Sequence, residues 1–173
     1  MSAGSYPFRD RAEAGKRLAE KLKIYAGQGT KVFDIPRGGL PVSIEVAGLL
    51  GANLDIVIPR KIPIPYEPEA GFGAVSEDGE VVLNRELTPR LGLSEREIEL
   101  QVGKVREEIR RRSEAYHAIL EKPRGKTQTG IIIDDGLASG FTALAAVRTL
   151  RKRGIKKVIA AAPVVSGRAY ELV

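Results

Sequence analysis

The chain has 173 residues, which is about the size of one domain. Hydrophobic residues make up 43% of it and charged residues 29%, a composition typical of a globular protein and not of a disordered one. It has no transmembrane-length apolar run and no signal-like apolar core near the N-terminus, so we expect a soluble, cytoplasmic protein. With no cysteine and one histidine, thiol nucleophiles, thiolate metal sites and His-rich metal sites are excluded.

The formal net charge of +6 is concentrated in one segment. No acidic residue lies between Asp135 and Glu171, and this segment contains seven basic residues: Arg148, Arg151, Lys152, Arg153, Lys156, Lys157 and Arg168. A basic patch of this kind indicates either a nucleic-acid or phosphate surface, or cations that stabilise the C-terminal end of a helix and are otherwise solvated. The sequence favours the second interpretation and leaves the first open.

The N-terminal third predicts a helix followed by a βαβ unit. Apolar residues recur at helical spacing from Arg9 to Tyr25, with Gly27 placed to end the helix. Four segments follow in order: a β-rich run (31–35), a PRGG turn (36–39), an apolar helix (40–51) and a second β-rich run (54–58). A strand, a tight turn, a buried helix and a second strand form the repeating unit of a parallel α/β sheet.

The pattern then changes to a proline-rich stretch. Alternating residues in 73–83 around Asp78-Gly79 predict a β-hairpin. Ser94 and Glu97 form a capping box at the start of a charged helix with a narrow apolar stripe, which we expect on the outside of the protein. We interpret 62–125 as an insertion, a flap or hood made of a hairpin and a helix, within a single domain that spans 1–173.

The core pattern resumes at residue 130. It predicts a buried strand (130–134), a small-residue loop (135–140), a helix (141–153) and a further strand (156–165). Ser166 is placed to cap one more helix. Because a complete sheet would have another strand, we expect the given sequence to be part of a longer chain.

The segment 131–147 carries the strongest chemical signal. A loop of small residues at a helix N-terminus presents unpaired backbone N–H groups that can bind a phosphate, and the hydroxyls of Ser139 and Thr142 lie beside them. Asp134 and Asp135 end the preceding strand, and their carboxylates suit the vicinal hydroxyls of a sugar. The segment contains neither GxxxxGK[ST] nor GxGxxG, so the two commoner nucleotide loops are excluded. The combination predicts a site for a ribose 5-phosphate.

An apolar run, two acids and a small-residue loop ending in Gly-x-Thr together resemble the phosphoribosyl pyrophosphate (PRPP) signature of the type I phosphoribosyltransferases. Ser139 stands where that signature usually has threonine. The likeness extends from about Arg9 to about Ser166. It is closest to prokaryotic phosphoribosyltransferase-domain proteins whose base is undefined. It implies a three-layer α/β/α fold with a central, mainly parallel sheet.

The resemblance also implies roles for individual residues. Asp134 and Asp135 would be catalytic residues that orient the ribose hydroxyls. The 5-phosphate would be bound by the following loop: Gly136, Leu137, Ala138, Ser139, Gly140, Phe141 and Thr142. Pyrophosphate would be bound by Arg37, Gly38 and Gly39 after the first strand, and by Arg60 and Lys61 at the end of the next strand. Taken alone, PRGG is also typical of an ordinary turn, and Arg60-Lys61 of a solvated edge.

The implied reaction transfers the 5-phosphoribosyl group from PRPP to a nitrogenous base and releases pyrophosphate. Mg²⁺ would be carried on PRPP and not by a protein cage, and the implied assembly is a homodimer. The alternative is a non-catalytic PRPP-binding regulator that contacts RNA or a protein partner, with the basic segment as its support. The sequence does not identify the base.

Overall fold

The protein is described by a computed structural model that covers residues 7–27, 29–36, 38–117 and 127–173. The helices are α1 (Arg11–Leu22), α2 (Leu40–Leu50), α3 (Glu95–His117), α4 (Phe141–Lys152) and α5 (Gly167–Leu172). The strands are β1 (Thr30–Asp34), β2 (Asn53–Ile56), β3 (Arg60–Ile64), β4 (Glu67–Val75), β5 (Val81–Leu83), β6 (Thr129–Ile133) and β7 (Lys157–Ala161).

The central sheet consists of four parallel strands in the order β2-β1-β6-β7. The predicted βαβ unit is confirmed, since β1 and β2 pair in parallel and α2 connects them. The N-terminal helix is also confirmed. Asp10 caps α1 by accepting a hydrogen bond from the Glu13 backbone N–H at 2.8 Å.

Helices cover both faces of this sheet. Val32, Ile131 and Ile133 pack against α1 and α2 on one face. Phe33 and Ile132 alternate with them and pack against α4 on the other face. The implied three-layer α/β/α fold is thus confirmed, and the three consecutive isoleucines of β6 are buried as expected for a central strand.

A second, antiparallel sheet has the order β3-β4-β5. It contains the predicted hairpin, because Val75 pairs with Val81 across the Asp78-Gly79 turn. The position of Arg60-Lys61 corrects the prediction: these residues begin β3 of the second sheet, whereas β2 already ends at Ile56. Pro59, which has no N–H for a strand ladder, lies where the chain leaves the central sheet.

The charged helix α3 packs on the second sheet. Its capping box is confirmed, with Ser94 N–H donating to Glu97 Oε2 at 2.8 Å and Glu97 N–H donating to Ser94 Oγ at 3.3 Å. The apolar stripe of α3 is buried in one cluster with Ile62 and Phe72 of the sheet. The second sheet and α3 therefore share a hydrophobic cluster, which also includes Ile56 at the end of β2.

The hairpin turn ties the second sheet to α4. Thr149 Oγ1 donates to Asp78 Oδ1 at 2.8 Å, and Arg153 Nη2 lies 2.8 Å from Glu77 Oε2. Glu77 is a nearly buried anion, with a side chain 8% exposed. These contacts hold the hairpin turn against the C-terminal end of α4.

The C-terminal strand is shorter than predicted. β7 ends at Ala161 and not at residue 165, and Pro163 follows closely, so that only an isolated bridge between Leu137 and Val165 continues the pairing. The predicted cap is confirmed: Ser166 Oγ accepts the Ala169 N–H at 3.0 Å at the start of α5. Among the described residues, no helix is long and apolar enough to cross a membrane.

Candidate functional site

Three carboxylates lie at the carboxyl ends of the two central strands. β1 and β6 are neighbours in register, with Asp34 paired to Ile133, so Asp34 lies close to Asp134 and Asp135. We call Asp34, Asp134 and Asp135 the strand-end acids. Two of them were predicted as site residues, while Asp34 was not.

Asp134 faces open space. It lines two adjoining cavities, of about 450 and 410 Å³. Its Oδ1 accepts the Asp135 backbone N–H at 2.8 Å. The pKa of Asp134 is raised to about 7, mainly by burial and in smaller part by the negative charges of Asp135 and Asp34. A carboxylate with this environment can accept hydrogen bonds from a ligand's hydroxyl groups, which would stabilise its ionised form.

Asp135 turns toward α1. Its Oδ2 accepts hydrogen bonds from Arg11, at 2.7 Å from Nη2 and 3.0 Å from Nε. The carboxylate also lies against the Cα of Gly38, so that a Cβ at that position would collide with it. The two predicted acids thus face different surroundings: Asp134 lines the cavities, and Asp135 contacts both Arg11 of α1 and Gly38.

The predicted phosphate loop surrounds the 410 Å³ cavity, which six of its seven residues line. Gly140 has a left-handed backbone (φ 79°) that precedes α4, and a Cβ there would lie 3.1 Å from the Cα of Ala169. Among the described residues, no hydrogen-bond partner is found for the backbone N–H groups from Ser139 to Thr142. These donors at a helix N-terminus suit a phosphate. Phe141 is the residue that does not line the cavity, because its side chain packs with Ala74 and Val82.

The 450 Å³ cavity lies between the strand ends, β3 and α3. Lys61, Asp134 and Thr142 line both cavities, so the two are parts of one space, which we call the cleft. Lys61 Nζ donates to the Glu69 carbonyl oxygen, and Arg60 Nη2 lies 2.6 Å from Glu108 Oε1. Arg60 and Lys61, two of the three predicted pyrophosphate-binding cations, therefore line the cleft and are held by acceptors of the second sheet and α3.

The residues of the PRGG turn have different positions. Gly38 lines the cleft, while Gly39 is buried at the start of α2. A Cβ on Gly39 would lie 2.6 Å from Asp34 Oδ1 and 3.0 Å from the Ile133 carbonyl oxygen, so the turn can approach the strand ends only with glycine there. Arg37 lies outside the described residues.

Sequence reasoning missed two contributions to the site. Arg11, the partner of Asp135, is separated from it by 124 positions and carries no local signal. The second contribution comes from α3, whose Gln101, Lys104 and Glu108 line the cleft. Their spacing of three and four places them on one polar face beside the apolar stripe, a pattern that could have indicated a cleft-facing helix.

Most cations of the basic segment contact other residues of the protein. Three of its cations pair with acids of the hairpin: Arg148 with Glu80 (2.9 Å), Lys152 with Asp78 (3.2 Å) and Arg153 with Glu77 (2.8 Å). Lys157 lies over the ring of Tyr25 at 4.6 Å from its centroid. The positive charge thus stabilises the contact between α4 and the second sheet, a role that neither interpretation of the sequence included.

Comparison with known proteins agrees with this geometry. A family model described as the phosphoribosyl transferase domain matches residues 77–173. A Mycobacterium tuberculosis (strain H37Rv) protein, provisionally named a phosphoribosyl transferase, is 38% identical over 157 residues. That match covers 91% of this chain but 35% of the relative, so the chain spans about a third of that protein's length.

Solved structures show the same fold. The structure of TT1426 from Thermus thermophilus is 36% identical, with a TM-score of 0.74, and the match covers 96% of this chain and 79% of that one. A purine phosphoribosyltransferase from Pyrococcus horikoshii is 16% identical, with a TM-score of 0.53 over 94% of this chain and 78% of that one, a likeness of fold alone. On the family match over more than half of its length, the chain belongs to the phosphoribosyl transferase domain family.

Proposed function

We propose that the protein transfers the 5-phosphoribosyl group of PRPP to a nitrogenous base and releases pyrophosphate. The observation that carries this proposal is the cleft, in which Lys61 lies opposite the Asp134 carboxylate and the N–H groups from Ser139 to Thr142, which have no partner among the described residues. A ribose 5-phosphate needs an acceptor for its hydroxyls and donors for its phosphate. A pyrophosphate group needs cations on the side of the cleft opposite the phosphate loop.

In the proposed reaction, the bond from the ribose C1 to the pyrophosphate oxygen breaks as a bond from C1 to a base nitrogen forms, and the base loses a proton. The ribose becomes oxocarbenium-like in the transition state, so catalysis comes from alignment and from stabilisation of the leaving charge. Asp134 would hold the ribose hydroxyls, and the loop 136–142 would hold the 5-phosphate. Lys61, Arg60 and Arg37 would neutralise the pyrophosphate, and Gly38 would let the backbone approach it.

In this proposal, the main role of Asp135 is to hold neighbouring parts of the site in place. It would keep the 36–39 turn beside Asp134 through its contacts with Arg11 and Gly38, and it would orient a ribose hydroxyl only if the Arg11 pair opens. This division of roles differs from the equal pair of acids that the sequence suggested.

Mg²⁺ would be carried on PRPP, where it would offset the charge of the leaving group. Among the described residues, no group of three or more His, Cys, Asp or Glu side chains is placed to hold one metal ion. Asp34 is buried and Asp135 is paired with Arg11, so this donor set fits a cation carried by the substrate. We propose that the protein acts in the cytoplasm as a homodimer.

The test is a pyrophosphate-release assay with PRPP, Mg²⁺ and a panel of purine and pyrimidine bases. We expect release that depends on one class of base and on Mg²⁺. PRPP binding without release for any base, together with salt-sensitive RNA binding, would support the regulator instead. Neither binding nor release would contradict both functions. The pairing of three basic side chains with the hairpin weakens the case for an RNA surface.

A further inference from the structure

Asp34 has an unusual environment for a charged side chain. It is fully buried at the end of β1. Its Oδ1 accepts a hydrogen bond from Ser43 Oγ at 2.7 Å. Its Oδ2 is buried and has no hydrogen-bond partner among the described residues. An ionised carboxylate in such a place costs several kcal/mol unless it is paired or protonated.

The charged groups that face Asp34 are acidic, and no cation among the described residues faces it. The end of β6 supplies Asp134, and the following loop supplies Asp135, whose own partner is Arg11. From α2 only the neutral hydroxyl of Ser43 reaches it. On β2, Asp55 forms a salt bridge with Lys31. Asp34 itself has no salt bridge among the described residues.

Two of the strand-end acids therefore compete for a proton. Burial, with a smaller contribution from the charge of Asp135, raises the pKa of Asp34 to about 6, and the pKa of Asp134 is raised to about 7. Because Asp34 and Asp134 repel each other when both are ionised, ionisation of one favours protonation of the other. Only Asp134 lines the cleft, so a ligand can stabilise the ionised form of Asp134 but cannot reach Asp34.

We propose that Asp34 is a positioning residue that holds a proton when PRPP is bound, and so leaves Asp134 ionised to accept hydrogen bonds from the ribose hydroxyls. This inference rests on the proposed function. The proton leaves the carboxyl of Asp134 and resides on Asp34, directly or through solvent, so the count of protons on the pair is unchanged. The unpartnered Oδ2 fits this role, since a neutral carboxyl tolerates an unpaired oxygen better than a carboxylate does.

The test compares PRPP binding by the wild type, D34N and the control D10N between pH 5 and 8, by calorimetry with Mg²⁺ present. Asparagine mimics the neutral acid and removes the charge that raises the pKa of Asp134. We expect the pH at which binding weakens on the acidic side to shift downward by half a pH unit or more in D34N. D10N, which keeps a competent helix cap, should follow the wild type. Superimposed profiles for D34N and the wild type would overturn the proposal.

A second measurement needs no variant. The ¹³Cγ resonance of Asp34, followed in the wild type at pH 7, should move toward the protonated position when PRPP and Mg²⁺ are added. A resonance that stays at the ionised position would overturn the inference even if D34N did not fold. Absence of PRPP binding by the wild type would instead contradict the proposed function, and the inference with it.

Discussion

The two walls of the cleft are built in different ways. The core wall, formed by β6, the phosphate loop and α4, comes from one continuous stretch, 129–152. Its acids are half-buried, and its backbone N–H groups from Ser139 to Thr142 have no partner among the described residues. The other wall, formed by β3, β4 and α3, brings together residues distant in sequence, and its cations Arg60 and Lys61 are already held by acceptors. The core wall therefore offers donors that are available to a ligand. On the opposite wall, Arg60 and Lys61 would have to leave their present acceptors to bind one.

The largest effect is expected at the core wall. D134N should weaken PRPP binding by about 100-fold, because hydrogen bonds to a charged acceptor contribute about 1.5–3 kcal/mol each. D135N should have a smaller effect, since Asp135 faces Arg11, and the double variant should abolish Mg²⁺-dependent binding. Calorimetry with PRPP measures all three, with D10N as the single-charge control. Equal losses for D134N and D135N would contradict the separate roles that their contacts indicate.

The phosphate loop gives the next effect. G140V adds a side chain to a left-handed position that faces Ala169, so we expect PRPP affinity to fall at least tenfold. G154V is the matched control, since Gly154 has a similar φ of 85° but no atom near its would-be Cβ. Both variants should lose about 1–2 kcal/mol of stability in thermal unfolding. A G140V protein with wild-type affinity would rule out this loop as the 5-phosphate site.

The attachment of the second sheet to α4 gives an effect on stability and not on binding. E77Q should lower the free energy of unfolding in urea by about 2 kcal/mol, because Glu77 is nearly buried and bonds to Arg153 and Ser113. E80Q removes an exposed pair and should cost less than about 0.5 kcal/mol. If the two variants lose the same stability, the hairpin is not anchored through Glu77.

The smallest effect is the pH dependence of stability at Asp34. Its folded pKa of about 6 lies above the ordinary value of 3.8, so its favourable contribution is present below pH 3.8 and is lost as the pH rises through 6. The rise from 3.8 to about 6 corresponds to about 3 kcal/mol at pH 8. D34N removes the charge but keeps a buried polar amide, so it should recover about 1 kcal/mol of this at pH 8. Urea unfolding at pH 4 and pH 8 measures this, and the gain should vanish at pH 4. A constant difference would mean that Asp34 keeps its ordinary pKa.

The contrast between the walls also explains what the sequence could predict. The strand, acids, loop and helix of 130–152 are neighbours in sequence, and their apolar periods and turn residues specify them locally. The strand β3 was missed because Pro63 lies within it and its pairing with β4 is irregular at that point. Its strand conformation depends on a partner rather than on its own composition.

The sequence also could not predict which single polar residues are buried. Asp34 lies in a β-rich run, and nothing in its local pattern shows that its side chain faces the interior beneath Gly39. The partner of Asp135 lies on α1, far away in the sequence. Such features follow from the packing of whole elements, so a single sequence predicts the position of the loop between β6 and α4 well and the electrostatics around it poorly.

The central claim is that the cleft binds a phosphorylated pentose through Asp134 and the loop 136–142. A crystal structure of this chain with PRPP and Mg²⁺ tests it most directly. We expect the 5-phosphate within hydrogen-bond distance of the N–H groups from Ser139 to Thr142, and the ribose hydroxyls on the Asp134 carboxylate. PRPP bound elsewhere, or a cleft that stays empty at millimolar PRPP, would contradict the claim.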